Sequence, residues 1–130
     1  MKRYIRVAMV CWLAALGSGC GPSGPKTYPV SGTVTFKGEK IPKGHIVFSP
    51  IDGSTAPNAG EIVNGRFDLR ATAGKKRVEI LADREVGKMD PVMHTIPRQA
   101  YIPAKYNTQS TLEREVTPEG DNEFVFDLKD

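Results

Sequence analysis

EIVNGRFDLR, residues 61–70, is the stretch that decides the fold. Asn64 and Gly65 stand between two short runs, and both tolerate the positive φ angles that a two-residue type I′ hairpin turn requires. In the second run, Phe67 and Leu69 alternate with charged residues, so one face of a strand is apolar and the other is polar. The stretch therefore predicts an antiparallel β-hairpin with one buried face.

The same alternation recurs along the chain between turn-forming residues, and no segment has a helical period of useful length. Val30 and Val34 share a face near the beginning of the chain, while Phe124, Phe126 and Leu128 form an apolar row near its end. The pattern predicts an all-β domain of about seven strands, with the sixth strand paired near the seventh. The predicted strands are residues 28–36, 45–49, 61–63, 66–70, 76–81, 111–116 and 123–128.

The N-terminus has the order of segments that is typical of an export signal. A short basic start is followed by a charge-free apolar run at residues 7–16, and small residues then lead to Cys20. The run has about half of the roughly 20 apolar residues that a spanning helix needs. We expect residues 1–19 to be a cleaved signal peptide and Cys20 to be the lipidated first residue of a bacterial lipoprotein. Ordinary cleavage and release is the alternative, because Gly17 stands where such lipoproteins usually have Leu.

Removal of the signal changes the charge balance. The full chain has 18 basic and 15 acidic residues, and three basic residues, Lys2, Arg3 and Arg6, belong to the signal. The remaining chain is therefore electrically balanced, which gives no reason to expect a nucleic-acid partner. The two cysteines are Cys11, which leaves with the signal, and Cys20, which takes the lipid, so we expect no structural disulfide.

The mature chain divides into a tether and one domain. Residues 20–27 are rich in Gly, Pro and Ser and form a short tether, while residues 28–130 suffice for one domain with its own core. Within the domain, residues 83–110 form a long connection interrupted by Gly and Pro. A structureless connection of this length is unusual in a compact domain, so we expect it to be functional or ordered by packing.

The end of this connection, RQAYIPAKYN at residues 98–107, mixes residue types that are enriched at recognition surfaces. One interpretation is a binding surface for a protein or glycan partner. The alternative is that its aromatic side chains anchor a long crossover onto the sheet. The residues of the candidate binding surface are Arg98, Tyr101, Lys105, Tyr106 and Asn107.

No pattern of residues indicates catalytic or metal chemistry. His45 and His94 are the only histidines, whereas structural zinc sites use four ligands and catalytic ones usually three. A Gly-x-Ser-x-Gly nucleophile motif is also missing from the sequence. We predict no catalytic residue, no metal and no cofactor, and keep as the alternative a metal-dependent enzyme or carrier that uses His45 or His94 with carboxylates of the loops. The basic run at residues 75–77 is interpreted as a solvated strand edge, with contact to anionic lipid as its alternative.

Several motifs resemble the carboxypeptidase regulatory-like domain, a seven-stranded transthyretin-like β-sandwich. The family's V-x-G-x-V strand is matched by residues 30–34, and its turn-strand block by GEKIPKGHI at residues 38–46. Its hairpin and the strand that follows are matched by NGRFDL at residues 64–69 and AGKKRV at residues 73–78. YIPAKYN at residues 101–107 is similar to a motif of small transthyretin-like lipoproteins of bacteria.

The resemblance implies a transthyretin-like or immunoglobulin-like sandwich and an accessory or binding module without catalytic residues. Together with the signal, it leads us to expect a non-enzymatic lipoprotein of the bacterial cell envelope, held in the outer membrane or on its periplasmic face. Its expected contacts are the membrane, through the lipid anchor, and a protein or glycan partner. Self-association through exposed sheet edges is a further alternative.

Overall fold

The computed structural model of the chain describes residues 21 and 24–130. The described residues form ten β-strands and one short 3₁₀ turn (Ala104–Tyr106), and none of their helices is long and apolar enough to cross a membrane. The expected signal peptide and Cys20 lie outside the described residues. The strands are β1 (Thr27–Phe36), β2 (Glu39–Lys40), β3 (Lys43–Pro50), β4 (Asn58–Val63), β5 (Arg66–Thr72), β6 (Gly74–Leu81), β7 (Asp83–Glu85), β8 (Arg98–Ala100), β9 (Glu113–Val116) and β10 (Glu123–Leu128).

Eight of these strands form one curled, mostly antiparallel sheet. Its order is β10-β1-β5-β4-β3-β6-β9, with the short β2 paired to β1. β10 runs parallel to β1. The seven strands along this path are the seven that the alternation predicts, and no end differs from its predicted position by more than three residues. The all-β prediction is therefore confirmed.

The hairpin turn has the predicted geometry. Asn64 and Gly65 have φ angles of 51° and 74°, and Val63 pairs directly with Arg66 across the turn. Gly65 is also a point of close approach, because a Cβ atom there would lie 2.8 Å from the Cβ atom of Lys40. Two separate constraints, backbone angle and space, thus favour glycine at this position.

The curl brings strands from distant places in the sheet order face to face. The ring of Phe48 on β3 has its centroid 6.1 Å from that of Phe67 on β5 and 6.1 Å from that of Phe124 on β10. Such spacings are typical of packed aromatic pairs in a core. The inward rows predicted from the alternation are mostly buried, and the buried members are Val30, Val34, Ile46, Phe48, Phe67, Leu69, Val78, Ile80, Phe126 and Leu128.

The expected pairing of the sixth predicted strand is wrong. This strand, β9, forms its ladder with β6 rather than with β10. It still approaches β10 across the curl, because the guanidinium of Arg114 lies 4.7 Å from the ring centroid of Phe126. The two strands therefore meet through side chains and not through a hydrogen-bonded ladder.

The interpretation of residues 75–77 as solvated is wrong for Lys76. Its side chain is in phase with Val78 and Ile80 on β6, and only 1% of the residue is exposed. Its Nζ atom donates to Oγ1 of Thr72 at 2.5 Å. Burial lowers the pKa of Lys76, and the charge of Asp52 opposes this shift only in part.

The long connection after β6 is ordered. β7 and β8 pair with each other as a separate two-stranded sheet, in which Asp83 lies opposite Ala100 and Glu85 opposite Arg98. We call residues 83–100, which comprise these strands and the loop between them, the arm. After the arm, the side chain of Ile102 packs in the core with 6% exposure. This contact holds the crossover, the segment that leads from the arm to β9, against the sheet.

Candidate functional site

The two ends of the curled sheet carry different features. Thr27 at the beginning of β1 pairs with Thr72 at the end of β5, and the backbone N–H of Ile51 donates to the carbonyl of Lys75 at 3.2 Å near the same end. We call this end the tether pole, because the expected tether precedes Thr27. The opposite end, where β1 stops at Phe36, is the distal pole. The ten residues of β1 span about 30 Å between the two poles.

The arm lies at the distal pole and is ordered by ion pairs. Tyr101, just after the arm, packs on Phe36 with ring centroids 5.9 Å apart. Arg98 donates from Nε to Oδ1 of Asp83 at 2.8 Å and from Nη1 to Oε1 of Glu85 at 3.3 Å. The guanidinium lowers the pKa of Asp83, and the carboxylate raises the pKa of Arg98. These side chains are about half exposed, so the ion pairs set the shape of the arm more than they stabilise the fold.

A cavity of about 590 Å³ lies between the base of the arm and the main sheet. It opens where β6 leaves β3: His45 still pairs with Leu81, whereas Gly44 has no partner on β6. A Cβ atom at Gly44 would lie 2.5 Å from the carbonyl oxygen of Leu81 and 3.1 Å from Cβ of Ala82. Glycine therefore lets the chain turn into the arm here. The wall is mainly apolar, with Leu81, Ala82 and Ala100 as its apolar side chains.

Charged and polar side chains stand at the rim of this cavity. Lys43 and His45 share the exposed face of β3, and Asp83 and Arg98 face them from the arm. Arg98 is the main cause of the lowered pKa of Asp83, and the nearby His45 and Lys43 lower it further. The cavity thus combines an apolar wall with a fixed, ionised carboxylate and basic groups, an arrangement suited to holding a ligand in one orientation.

Two residues of the predicted binding surface, Arg98 and Asn107, line the cavity. The side-chain amide of Asn107 also holds the crossover in place, because Nδ2 donates to the carbonyls of Ile102 and Pro103 at 3.3 Å each. Its Oδ1 accepts from the backbone N–H of Thr108 at 2.7 Å. Asn107 therefore shapes the cavity from behind.

The other three residues of the predicted surface pack against the fold near the cavity. Tyr101 packs against Phe36 with the two rings tilted by 56°, and burial raises the pKa of its hydroxyl. The Oη atom of Tyr106 accepts a hydrogen bond from the backbone N–H of Lys129 at 2.9 Å. The ammonium of Lys105 lies 5.2 Å from the ring centroid of Tyr106. These contacts are those expected if the two tyrosines anchor the crossover.

The loop of the arm carries an exposed apolar cluster that the sequence interpretation missed. Met89, Val92 and Met93 are 59%, 83% and 71% exposed, and we call these three residues the knob. Oδ1 of Asp90 accepts from the backbone N–H groups of Val92 and Met93 at 2.8 Å each, which lowers the pKa of Asp90. The backbone N–H of Asp90 also donates to the carbonyl of Thr95 at 2.8 Å. The knob is therefore held in a defined shape. The sequence does contain a signal for the knob, because three large apolar residues fall within five positions of a loop.

The two histidines occupy different elements of the distal pole. His45 lies on β3 at the cavity rim, whereas His94 lies in the loop of the arm with a φ angle of 52°. Among the residues that the structure describes, no group of three or more His, Cys, Asp or Glu side chains is placed to hold a metal ion. This part of the chain thus gives no support to a metal site built on either histidine with carboxylates of the loops.

Comparisons with protein-family models, curated proteins and solved structures find no match for this chain. The arm, the cavity and the knob are therefore the features that indicate a function.

Proposed function

We propose that the protein is a non-enzymatic lipoprotein of the bacterial envelope that binds a partner at its distal pole. In this proposal residues 1–19 are a cleaved signal, Cys20 carries the lipid, and the curled sheet is a transthyretin-like sandwich in which β10, β1 and β5 face β4, β3, β6 and β9. The observation that carries the proposal is the position of the cavity and the arm, which lie at the end of the sheet opposite to the tether.

The dimensions suit a tethered binding module. Residues 20–26, when extended, reach about 23 Å from the membrane, and β1 adds about 30 Å between the poles. The cavity and the knob can therefore stand roughly 50 Å from the bilayer. At that height they are accessible to other components of the envelope, while the lipid keeps the module at the membrane surface.

The fixed carboxylate at the cavity rim supports a role in binding. A general acid or base works best when its pKa is near the operating pH, but Arg98 holds the pKa of Asp83 below its usual value. The carboxylate is therefore suited to accept hydrogen bonds from a ligand. A volume of about 590 Å³ and a mainly apolar wall are typical of ligand sites. The balanced charge of the mature chain makes a protein or glycan partner more suitable than a nucleic acid.

Expression of the full chain from its own signal in a bacterial host tests the proposal. The anchor predicts a mature chain that begins at Cys20, carries added lipid mass and fractionates with membranes. A photo-crosslinking residue at Ala100 on the cavity wall should then give defined adducts in intact envelopes, whereas the same residue at Ile51 on the tether pole should not. A soluble, unmodified product would refute the anchor, and equal crosslinking at the two positions would refute a binding site at the distal pole.

A further inference from the structure

We propose that the partner at the distal pole is a second copy of this chain, whose knob enters the cavity at the base of the first copy's arm. The inference rests on the proposed function, because it names the partner of the same binding end. It starts from a complementarity within one molecule: an exposed apolar projection and an apolar cavity lie on the same arm, one at its tip and the other at its base.

The sizes and surfaces of the two features agree. The cavity has room for a small-molecule ligand, and the side chains of Val92 and Met93 together are smaller than such a ligand. The wall that would receive them is formed by Leu81, Ala82 and Ala100. A flexible, polarisable Met side chain adapts well to an irregular apolar wall.

The knob is also ordered before it binds. Asp90 fixes the backbone of Val92 and Met93 through two hydrogen bonds, and the contact between Asp90 and Thr95 closes the base of the turn. An ordered loop loses less conformational entropy on association than a flexible one does. An ordered loop that exposes apolar side chains makes a monomer prone to aggregation, and a role in binding explains why the chain has such a loop.

Twofold symmetry joins the two features in a closed pair. If two arms lie antiparallel, the tip of each arm meets the base of the other, so one rotation forms both knob-to-cavity contacts. Each knob exposes on the order of 400 Å² of apolar surface. The cavity walls expose less surface than the knobs do, so the two contacts together bury on the order of 1,000 Å², near the lower end for specific interfaces.

Charges near the two features are also complementary. Asp90 lies within the knob, and the cavity rim carries the basic residues Lys43 and His45 beside the ion pair of Asp83 with Arg98. An antiparallel pair thus brings Asp90 of one copy toward the basic side of the other copy's rim, which favours one register. The membrane is a poorer partner for the knob, because amphipathic helices that bind lipid surfaces combine Trp, Phe or Leu with a face rich in Lys and Arg, whereas the knob consists of Met and Val next to Lys88.

Disulfide trapping in the envelope tests the pairing with the full chain. Two differently tagged chains, one with Val92→Cys and the other with Ala100→Cys, are expressed together, and mixed dimers are read on a non-reducing gel. Replacement of Val92→Cys by Ile51→Cys in the first chain is the matched control, since Ile51 is half exposed but lies at the tether pole. We expect a mixed dimer for the first pair and none above background for the control. Equal yields from the two pairs would overturn the proposal.

A complementation test distinguishes the contribution of the knob to self-association from that of the cavity. Val92→Asp places a charge in the apolar knob, so that the knob no longer fits an apolar wall. Ala100→Trp, at an exposed position of β8, fills the cavity. In sedimentation of the full chain in density-matched detergent, each variant alone should weaken self-association by at least about tenfold. A mixture should recover part of it, because each mixed pair regains one knob-to-cavity contact. No loss in either variant, or no recovery in the mixture, would overturn the proposal.

The outcomes also separate this inference from the proposed function. If the photo-crosslinker at Ala100 captures another envelope component and never a second copy, the binding end is retained and self-association is refuted. If Ala100 gives no more adducts than Ile51, both are refuted.

Discussion

Replacement of Lys76 by Met should stabilise the protein. The lysine ammonium loses its hydration on folding, and the described residues offer it one hydrogen-bond acceptor, the hydroxyl of Thr72, which is shared with Oγ1 of Thr55 at 3.0 Å. A hydrogen bond to a charged group returns about 1.5 to 3 kcal/mol, whereas burial of an ion costs several kcal/mol. Met keeps the length and apolar contacts of the lysine stem without the charge.

The expected gain in the free energy of unfolding at neutral pH is about 1 to 2 kcal/mol, near the lower end of the range measured when buried charges are replaced by apolar residues. For a domain of this size, that gain raises Tm by about 4 to 8 °C. The neighbouring Lys75 is exposed on the other face of β6, so Lys75→Met is the matched control and should change the free energy by less than about 0.5 kcal/mol.

The gain in stability from Lys76→Met should decrease as the pH rises. Burial places the pKa of Lys76 below its usual 10.5, so between the two values the unfolded chain binds more protons than the folded chain does. The free energy of unfolding of the native protein therefore rises with pH in that window. Lys76→Met lacks this rise, and its advantage shrinks as the pH approaches 10.5. Urea unfolding at neutral and at alkaline pH measures both effects. A variant less stable than the native protein at neutral pH would refute the reasoning.

Three further predictions concern the turn and the distal pole. Gly65→Ala should lower the free energy of unfolding by about 1 to 2 kcal/mol, because φ is positive there and Cβ meets Lys40; urea unfolding that shows no loss would contradict this. Asn107→Ala should lower the free energy of unfolding by about 1 to 3 kcal/mol, because the carbonyl of Ile102 loses the Nδ2 donor, whereas that of Pro103 keeps the backbone N–H of Tyr106; amide exchange across the crossover that is no faster than in the native protein would contradict it. Arg98→Ala should change global stability by less than about 1 kcal/mol, since its ion pairs are half exposed. It should raise the pKa of Asp83 toward its usual 3.8, as NMR titration measures, and an unchanged pKa would contradict the assignment of its cause.

The main sheet could be predicted because its signals are local. In β5 and β10 the period-2 alternation spans the whole strand, and Asn64-Gly65 determines the hairpin turn through its own backbone preferences. The pairing of β9 could not be predicted in this way, because ladder partners depend on how the sheet curls. Arg114, in phase with Val116, lies against Phe126 although its strand pairs with β6.

The arm and the cavity depend on contacts that the sequence pattern does not contain. All three residues of β7 and all three of β8 are exposed, so these strands show no alternation, and they are joined by the ion pairs of Arg98 with residues more than ten positions earlier. The cavity exists because the chain leaves β6 at Ala82, a feature of tertiary structure. The composition of residues 98–107 nevertheless predicts two of its lining residues, Arg98 and Asn107.

The burial of Lys76 did have a local signal. Its position is in phase with Val78 and Ile80, and this phase places its side chain on the inner face of the strand. The run of three basic residues suggested a solvated edge instead. The alternation of the strand determines the face on which Lys76 lies, because every second side chain of a strand faces the same side whatever its charge.

Oxidation of the knob methionines in intact envelopes tests the central claim most directly. Two of the four methionines of the chain lie in the expected signal, and the other two, Met89 and Met93, both belong to the knob. Mild peroxide converts an exposed Met to its sulfoxide, which mass spectrometry detects. If the knob is part of the binding surface at the distal pole, both residues should oxidise more slowly in envelopes than in the purified, diluted protein, and Val92→Asp should abolish this protection. Equal rates of oxidation in the two settings would contradict the account.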